Sequence, residues 1–442
     1  MPGSTAAVAA ALATQGGLAW LDGEGRFSRG ARSFVACAPV EWRRVAAGTA
    51  HPLAVFETLS RPPTPERAAR HAAGTDWLRR APRWVGYVAY DAAWCPPHRV
   101  PPRHGRADAE VCVLARYDAV IAIEHATGTA WLVGDDEAAC RALEARARGG
   151  RAGATRAGAP GVCAVEATPA RVHREAIERA LEHIAAGDLY QVNLARRWRV
   201  RYEGDPLALF YAMRDVSPVP LGFFLDAGDH AVLGRSMERF IDWDRRTGTL
   251  ISRPIKGTVA RRDDDGEAPA RALRDDAKER AEHSMIVDLM RNDVGRVARL
   301  GSVVVTETLA VEPYADLAHL VSTVRCVTRA SVDLRDVLEA TFPPGSVTGA
   351  PKLRAVELIE ALEAVPRGVY TGALGYVDRE GGLSLAVAIR TAVVRDGFAV
   401  YFAGGGIVEA SDPAREVAET ALKAGVFLDA LARLQGAGDA GR

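Results

Sequence analysis

Between Tyr190 and Tyr202 the chain alternates. Tyr190, Val192, Leu194, Trp198, Val200 and Tyr202 fall on one face of an extended segment, and Gln191, Asn193, Arg197, Arg199 and Arg201 on the other. A period of two held over this length predicts a long strand, with an apolar face that must be covered and a polar face that must find partners. A helix precedes it. Thr168-Pro169 supplies a capping hydroxyl and a first-turn proline, Val172, Ile177, Ala180, Leu181 and Ile184 recur at helical spacing, and Gly187 ends the run. Further helices are expected at about 270–291, 351–362 and 413–434. Strands are expected at about 303–311, 319–328, 371–377, 383–394 and 398–407. In the first third, Ser33–Ala36, Trp84–Tyr90, Val111–Leu114 and Val120–Ile123 read as strands, broken by coil such as Cys95-Pro96-Pro97. Strands and helices come in clusters rather than in strict alternation, which predicts an α+β sandwich and not a doubly wound sheet.

From Ala145 to Gly161 the sequence is rich in Gly, Ala and Arg and has little to bury. It divides the chain into an N-terminal region (1–144), a linker or loop (145–164), a larger domain (165–434) and a short tail (435–442). Lys+Arg and Asp+Glu are equal at 56 each. A balanced chain has no bulk attraction to nucleic acid or to acidic membranes, so any anion specificity is local. The six cysteines include no CxxC pair, against a zinc site or a disulfide framework, and point to a reducing compartment. The apolar run Ala6–Ala13 is too short to span a membrane and follows no basic segment, so a cytoplasmic location is expected.

Several segments carry chemistry. Arg253-Pro254-Ile255-Lys256-Gly257-Thr258 ends a β-like run. A lysine enclosed beside other cations can supply the neutral amine that acts as a nucleophile, although on this hexapeptide alone a surface lysine is favoured. Glu279 and Glu282 lie three apart on one helix, a spacing that can hold Mg²⁺, although a solvated, salt-bridged helix face is the commoner outcome for any single Glu. Gly404, Gly405 and Gly406 follow a strand and offer backbone N–H groups to an anion, but Glu409 stands where a dinucleotide fingerprint needs glycine. Glu416, Glu419 and Lys423 then share one helix face. Phe342–Lys352 is a Gly/Pro-rich loop opening a helix: an anion site or a structural turn, not a phosphate loop. Arg390 sits in an apolar strand, where it grips a carboxylate or closes an internal ion pair.

Taken together, Tyr190–Ala195, Pro254–Thr258, Ala281–Asp293, His319–Thr323, Phe342–Lys352, Val369–Tyr376, Ala388–Thr391 and Ala403–Pro413 resemble the chorismate-utilising enzymes. That family includes anthranilate synthase component I, aminodeoxychorismate synthase component I, isochorismate synthases and salicylate synthases. The resemblance runs from about residue 165 to 430 and is looser before that, through Phe27-Ser28-Arg29 and Val85-Gly86-Tyr87. It implies a sandwich of two large antiparallel-rich sheets with helices outside. It also implies that Glu282 and Glu419 hold Mg²⁺ with Glu416 in support, and that the metal binds the ring carboxylate of chorismate. Arg390, Tyr370 and the amides of Gly404, Gly405 and Gly406 match the groups around the enolpyruvyl carboxylate. Gly257, Thr258, Thr348 and Lys423 match other pocket positions, and His319 lies next to the ring.

Two positions separate the branches. Anthranilate synthases typically carry alanine where this chain has Lys256. Isochorismate and salicylate synthases carry a water-activating lysine where it has Gln191. The resemblance is therefore to the aminodeoxychorismate branch. There Lys256 attacks ring C2, Glu238 protonates the departing C4 hydroxyl, and ammonia then displaces the lysine. No cysteine has the glycine-flanked setting of a glutaminase nucleophile, so ammonia is expected from a separate glutamine amidotransferase subunit. Nothing after about residue 434 reads as a fused lyase. The chain departs from the family at Met237, usually proline, and Gly17–Asp22 does not reproduce the Leu-Leu-x-Ser pattern of the tryptophan pocket. The rival expectations are anthranilate synthase component I and a non-catalytic regulatory protein that binds chorismate or an amino acid.

Overall fold

The computed structural model describes residues 4–23, 31–59, 75–94, 110–150, 163–260, 268–314 and 317–439. Its strands form two antiparallel sheets, one of eleven strands and one of ten among the described residues. An apolar core lies between them, built from residues such as Phe34, Phe223 and Val232 of the first sheet and Trp84, Phe240 and Leu374 of the second. Helices cover the outside. Pro206–Val216 and Pro413–Asp439 bury their apolar sides on the first sheet, together with Trp198, Val200 and Tyr401. Ala170–Ala185 and Lys352–Leu362 cover Val192 and Leu194 of the same sheet. The α+β sandwich is as expected. No helix among the described residues is long and apolar enough to cross a membrane.

The alternating segment is the strand Gln191–Arg201. Val192, Leu194, Trp198 and Val200 are buried under the helices, and Arg196 joins them by laying its guanidinium over Trp198 and donating to the Thr168 carbonyl. Tyr190, just outside the strand, is exposed. On the other face, Gln191 is fully buried rather than solvated.

The N-terminal region does not stand apart. Ala19–Asp22, Arg32–Ala36, Ala119–Glu124 and Thr129–Gly134 complete one end of the first sheet, and Glu41–Ala46, Pro82–Val88 and Glu110–Arg116 one end of the second. The first residues of the 145–164 stretch are helical. They end the helix Glu137–Gly149, which Asp136 caps, because Ala and Arg are strong helix formers whatever their exposure. Residues 151–162 lie outside the described residues, as do Phe27-Ser28-Arg29 and Cys95-Pro96-Pro97. Residues 435–439 of the expected tail are the last turn of Pro413–Asp439. The helix expected at 270–291 is two, Ala268–Asp275 and Ala277–Gly295. Asp276 divides them, its carboxylate accepting the Glu279 N–H as an N-cap.

The strand expected at 383–394 is also two, and this break organises the molecule. Leu383–Val387 belongs to the second sheet and Thr391–Arg395 to the first. Their antiparallel partners switch at the same place, His230–Ser236 lying in the first sheet and Arg239–Asp244 in the second. One two-stranded ribbon thus passes from sheet to sheet, bending at Met237-Glu238 and at Ala388-Ile389-Arg390. Backbone bonds cross the bend, from Arg235 N–H to the Arg390 carbonyl (3.0 Å) and from Val387 N–H to the Glu238 carbonyl (3.0 Å). Arg390 takes φ of 52°, unusual for a residue with a Cβ and held only by what surrounds it.

Just before the bend, Arg235 is fully buried and donates to Asp22 at 2.8 Å and to the carbonyls of Ser217 and Val219. Arg214 shares the same carboxylate oxygen at 2.9 Å. Removing the carboxylate strands a buried guanidinium. Asp22→Ala is therefore expected to destabilise the fold by about 3–5 kcal/mol, read as a lowered denaturation midpoint, and an unchanged midpoint would contradict this account.

Candidate active site

The bends and the neighbouring strand ends converge on Lys256, in the strand Ile255–Ala260 at the edge of the second sheet. Pro254 interrupts the run, but the register against one partner strand, Leu317–Val327, continues unchanged from Thr249–Arg253 to Ile255 and Lys256. Gly257, at φ of 72°, then shifts that register by one between Lys256 and Thr258. A side chain there would come within 3.0 Å of Glu279 Oε2 and 2.9 Å of Leu273. The glycine thus lets the helix Ala277–Gly295 approach the lysine strand.

Opposite Lys256 stands the glycine run, which lies within the strand Phe398–Ile407 and not in a loop after it. It pairs with Gln191–Arg201 on one edge, while the pairing on its other edge stops at Tyr401. Each glycine makes room for a different group. A Cβ at Gly406 would lie 2.9 Å from Gln191 Nε2 and 3.0 Å from Lys256 Nζ. One at Gly404 would lie 3.0 Å from the Tyr370 hydroxyl, and one at Gly405 would lie 3.0 Å from Glu416 Oε2 and 3.9 Å from Glu419 Oε1. The lysine and Gln191 therefore meet one face of this strand, and the two carboxylates of the following helix meet the other. Gln191 keeps both polar atoms buried without a hydrogen-bond partner, which marks a place where a ligand's polar atoms belong.

Charge is arranged around the lysine. Burial is the largest influence on its ammonium and lowers its pKa from the ordinary value. Lys423 lowers it further, and Glu282, Glu238 and Glu279 oppose. Glu238, at the ribbon bend, is buried. That burial raises its carboxyl to about 7, against the opposing influences of a Ser346 hydrogen bond, Lys256 and the Ile255 backbone. Enclosure favours a neutral amine beside a neutral carboxylic acid. His319 is registered against Thr258 and hydrogen-bonds the Gly257 backbone, and burial lowers its pKa to about 4, so it is neutral near pH 7. The Thr258 side chain lies outside the described residues.

Arg390 does not sit within a strand as expected. From its bend it donates to the Lys423 carbonyl at 3.2 Å. Lys423 Nζ reaches the Gly404 carbonyl at 2.9 Å and Glu419 at 2.6 Å. Tyr370 stacks on Phe402, ring centres 5.5 Å apart. Ser411 donates to Glu416 at 2.7 Å. Thr348 is buried and donates to the Pro344 carbonyl. The Phe342–Lys352 loop is a structural turn at its lysine, because Lys352 is committed to Asp293 and to the Thr341 carbonyl. Among the described residues, the one trio of metal-type ligand atoms within 4.8 Å of one another is Glu110, Asp229 and His230, already paired with Arg44 and Arg395. Glu282, Glu416 and Glu419 do not close that tightly. They offer hard oxygen donors from two helices, a set that fits Mg²⁺, which keeps waters and takes few protein ligands.

The sequence pattern described as chorismate binding enzyme matches residues 29–429. The chain belongs to this family. It is 42% identical over 257 residues to anthranilate synthase component 1 of Aquifex aeolicus, covering 58% of this chain and 52% of that protein. It is 40% identical over 362 residues to aminodeoxychorismate synthase of Streptomyces griseus, covering 78% of this chain and 49% of that one. The chain thus spans about half the length of these curated relatives. Among solved structures, anthranilate synthase component I of Streptococcus pneumoniae superimposes with a TM-score of 0.78 at 26% identity, over 91% of this chain and 95% of that one. The Escherichia coli menaquinone-specific isochorismate synthase MenF shares the fold at a TM-score of 0.74 and 19% identity, over 98% of this chain and 92% of that one.

In this chorismate binding enzyme, sequence reasoning missed Ser346 as a partner of Glu238, and it missed the buried pair Glu363–Arg367 beneath Asn193 and Thr371. Ser346 lies inside the Phe342–Lys352 segment. Arg367 directly precedes Gly368 and Val369, where the last turn-like signal before Tyr370 stands.

The raised carboxyl of Glu238 makes a stability prediction. Between 4.5 and about 7 the folded protein keeps a proton that the unfolded chain releases, so stability falls as pH rises through that window. Glu238→Gln removes the titration. Going from about pH 4 to about pH 8, the wild type should lose about 3 kcal/mol more stability than the variant. Parallel denaturation curves for the two would show that Glu238 ionises normally.

Proposed function

We propose that the protein aminates chorismate to 4-amino-4-deoxychorismate, with Lys256 as covalent nucleophile. The observation that carries this reading is the placement of Lys256 Nζ against Gly406 and Gln191, with Glu238 as a buried acid nearby. The family supplies the substrate, and the lysine, which resembles the aminodeoxychorismate branch, supplies the outcome.

The residues divide the work. Arg390, Tyr370 and the Gly404–Gly406 backbone hold the enolpyruvyl carboxylate, and Gly257, Thr258, Thr348 and Lys423 supply the other pocket positions. His319, neutral, packs beside the ring without adding charge. The neutral amine of Lys256 forms a bond to ring C2 and the ring double bond moves. The C4 hydroxyl then leaves as water with the proton of Glu238. Ammonia adds at C4, the double bond returns, and the C2–Nζ bond breaks to restore the amine. The enolpyruvyl ether is untouched. Glu282 and Glu419, with Glu416 in support, would hold Mg²⁺, which when bound draws charge from the ring carboxylate and makes the ring electrophilic. Gln191 cannot act as a base, which disfavours water as the nucleophile. Ammonia comes from a glutamine amidotransferase subunit. Of the cysteines whose side chains are described, Cys37, Cys112 and Cys326 are buried and Cys140 is partly so, none set as an exposed nucleophile.

Anthranilate synthase component I remains the second reading, favoured by the 42% identity to relatives of that name. Mass identification of the product from chorismate, ammonium and Mg²⁺ decides between them. Aminodeoxychorismate is expected, and anthranilate would overturn the proposal. Lys256→Ala should lower aminodeoxychorismate formation by at least about tenfold. Wild-type rates in that variant would end the covalent route. Glu238→Gln should cost about 10²–10⁴-fold in kcat and remove the fall in rate above about pH 7. Chelating the divalent metal should abolish turnover, and readdition of Mg²⁺ should restore it.

A further inference from the structure

Arg367 is 3% exposed and lies behind the site rather than in it. Its fork is fully engaged. Nε and Nη2 donate to the Glu363 carboxylate (2.9 and 2.6 Å), Nη2 also to the Asn193 carbonyl (2.7 Å), and Nη1 to the Val347 carbonyl (3.2 Å) and the Thr371 hydroxyl (3.0 Å). Its guanidinium lies 4.6 Å over the Tyr90 ring. Glu363 extends the grip, accepting the Ala195 N–H at 2.9 Å.

Each acceptor belongs to a segment that carries a site group. Asn193 and Ala195 lie on the strand that begins at Gln191 and faces the glycine run. Val347 is flanked by Ser346, which hydrogen-bonds Glu238, and by Thr348. Asn193 fastens the same turn, its N–H donating to the Thr348 carbonyl and its side chain to the Ser346 carbonyl. Thr371 follows Tyr370, takes φ of 60° and donates to the Tyr370 carbonyl at 2.6 Å. Three segments far apart in sequence have one cation in common.

We propose that Arg367, clamped by Glu363, is the positioning residue that fixes Tyr370, the Ser346–Thr348 turn behind Glu238, and the Gln191 end of its strand as one unit. Lysine cannot replace it. Three donors on a point charge cannot serve a carboxylate, two carbonyls and a hydroxyl set around a planar fork. The importance of these groups to turnover rests on the function proposed above. The clamp itself does not.

The test compares the full chain with Arg367→Lys, and with Arg379→Lys as a control. Arg379 is a half-buried arginine, paired with Asp135 and donating to the Tyr117 and Asp118 carbonyls away from these segments. Amide hydrogen exchange, thermal midpoint, and kcat and KM for chorismate are measured on each. In Arg367→Lys, exchange should rise together in residues 191–195, 345–348 and 369–372. Chorismate kcat/KM should fall about 10- to 100-fold at a thermal midpoint no lower than that of the control, whose kcat/KM stays near wild type. Unchanged exchange in the three segments overturns the clamp, as does loosening of all three with kcat/KM intact. If the wild type turns over no chorismate, the proposed function fails separately and the exchange pattern still decides the clamp.

Discussion

The structure depends on one ribbon that belongs to both sheets. Two antiparallel strands leave the first sheet side by side and enter the second side by side, so the bend is bonded across its width at Arg235–Arg390 and Glu238–Val387. A ribbon that changes sheets needs such bonds, because a strand that turns alone strands its backbone donors and acceptors in the core. Here the corner is filled rather than capped. The residues at its apex are an acid and an arginine, and Arg235 with Asp22 secures the approach to it. The corner therefore serves the core and the site at once.

Burial then does the chemical tuning. Lys256 and Glu238 stand in a place where neither charged form is well solvated, and the two effects reinforce each other: one favours the free amine, the other the intact acid. Glycine makes this crowding possible. At Gly404, Gly405 and Gly406 a methyl group would strike a catalytic-type side chain or backbone in every case, so the strand is thin where the site is thickest.

Much of this was readable from sequence, for reasons that differ by residue. The strand at Gln191–Arg201 announced itself because its period is long and its helix cover is local. The chorismate family was readable because its motifs are short, ordered and chemically loaded. Arg390 was harder. Flanked by Leu383–Val387 and Thr391–Arg395, it reads as mid-strand, since apolar runs continue on both sides and the change of sheet leaves no mark in composition. The break at Asp276 within the expected 270–291 helix is hidden for the opposite reason, since Asp276 is one more charge in a charged run until its side chain is seen to cap a new helix. Arg367 and Ser346 act through backbone carbonyls and a neighbour's side chain, contacts that no spacing rule encodes.

The shared ribbon also constrains motion. Glu238 and Arg390 are each bonded across the bend, to Val387 and Arg235, whereas Lys256 stands on the far edge strand of the second sheet and the glycine run on the first. Should one sheet slide over the other, acid and arginine would travel as a couple, like the pin of a hinge, while the gap between lysine and glycines changed width. The ribbon is thus the fixed axis about which such a pocket would breathe.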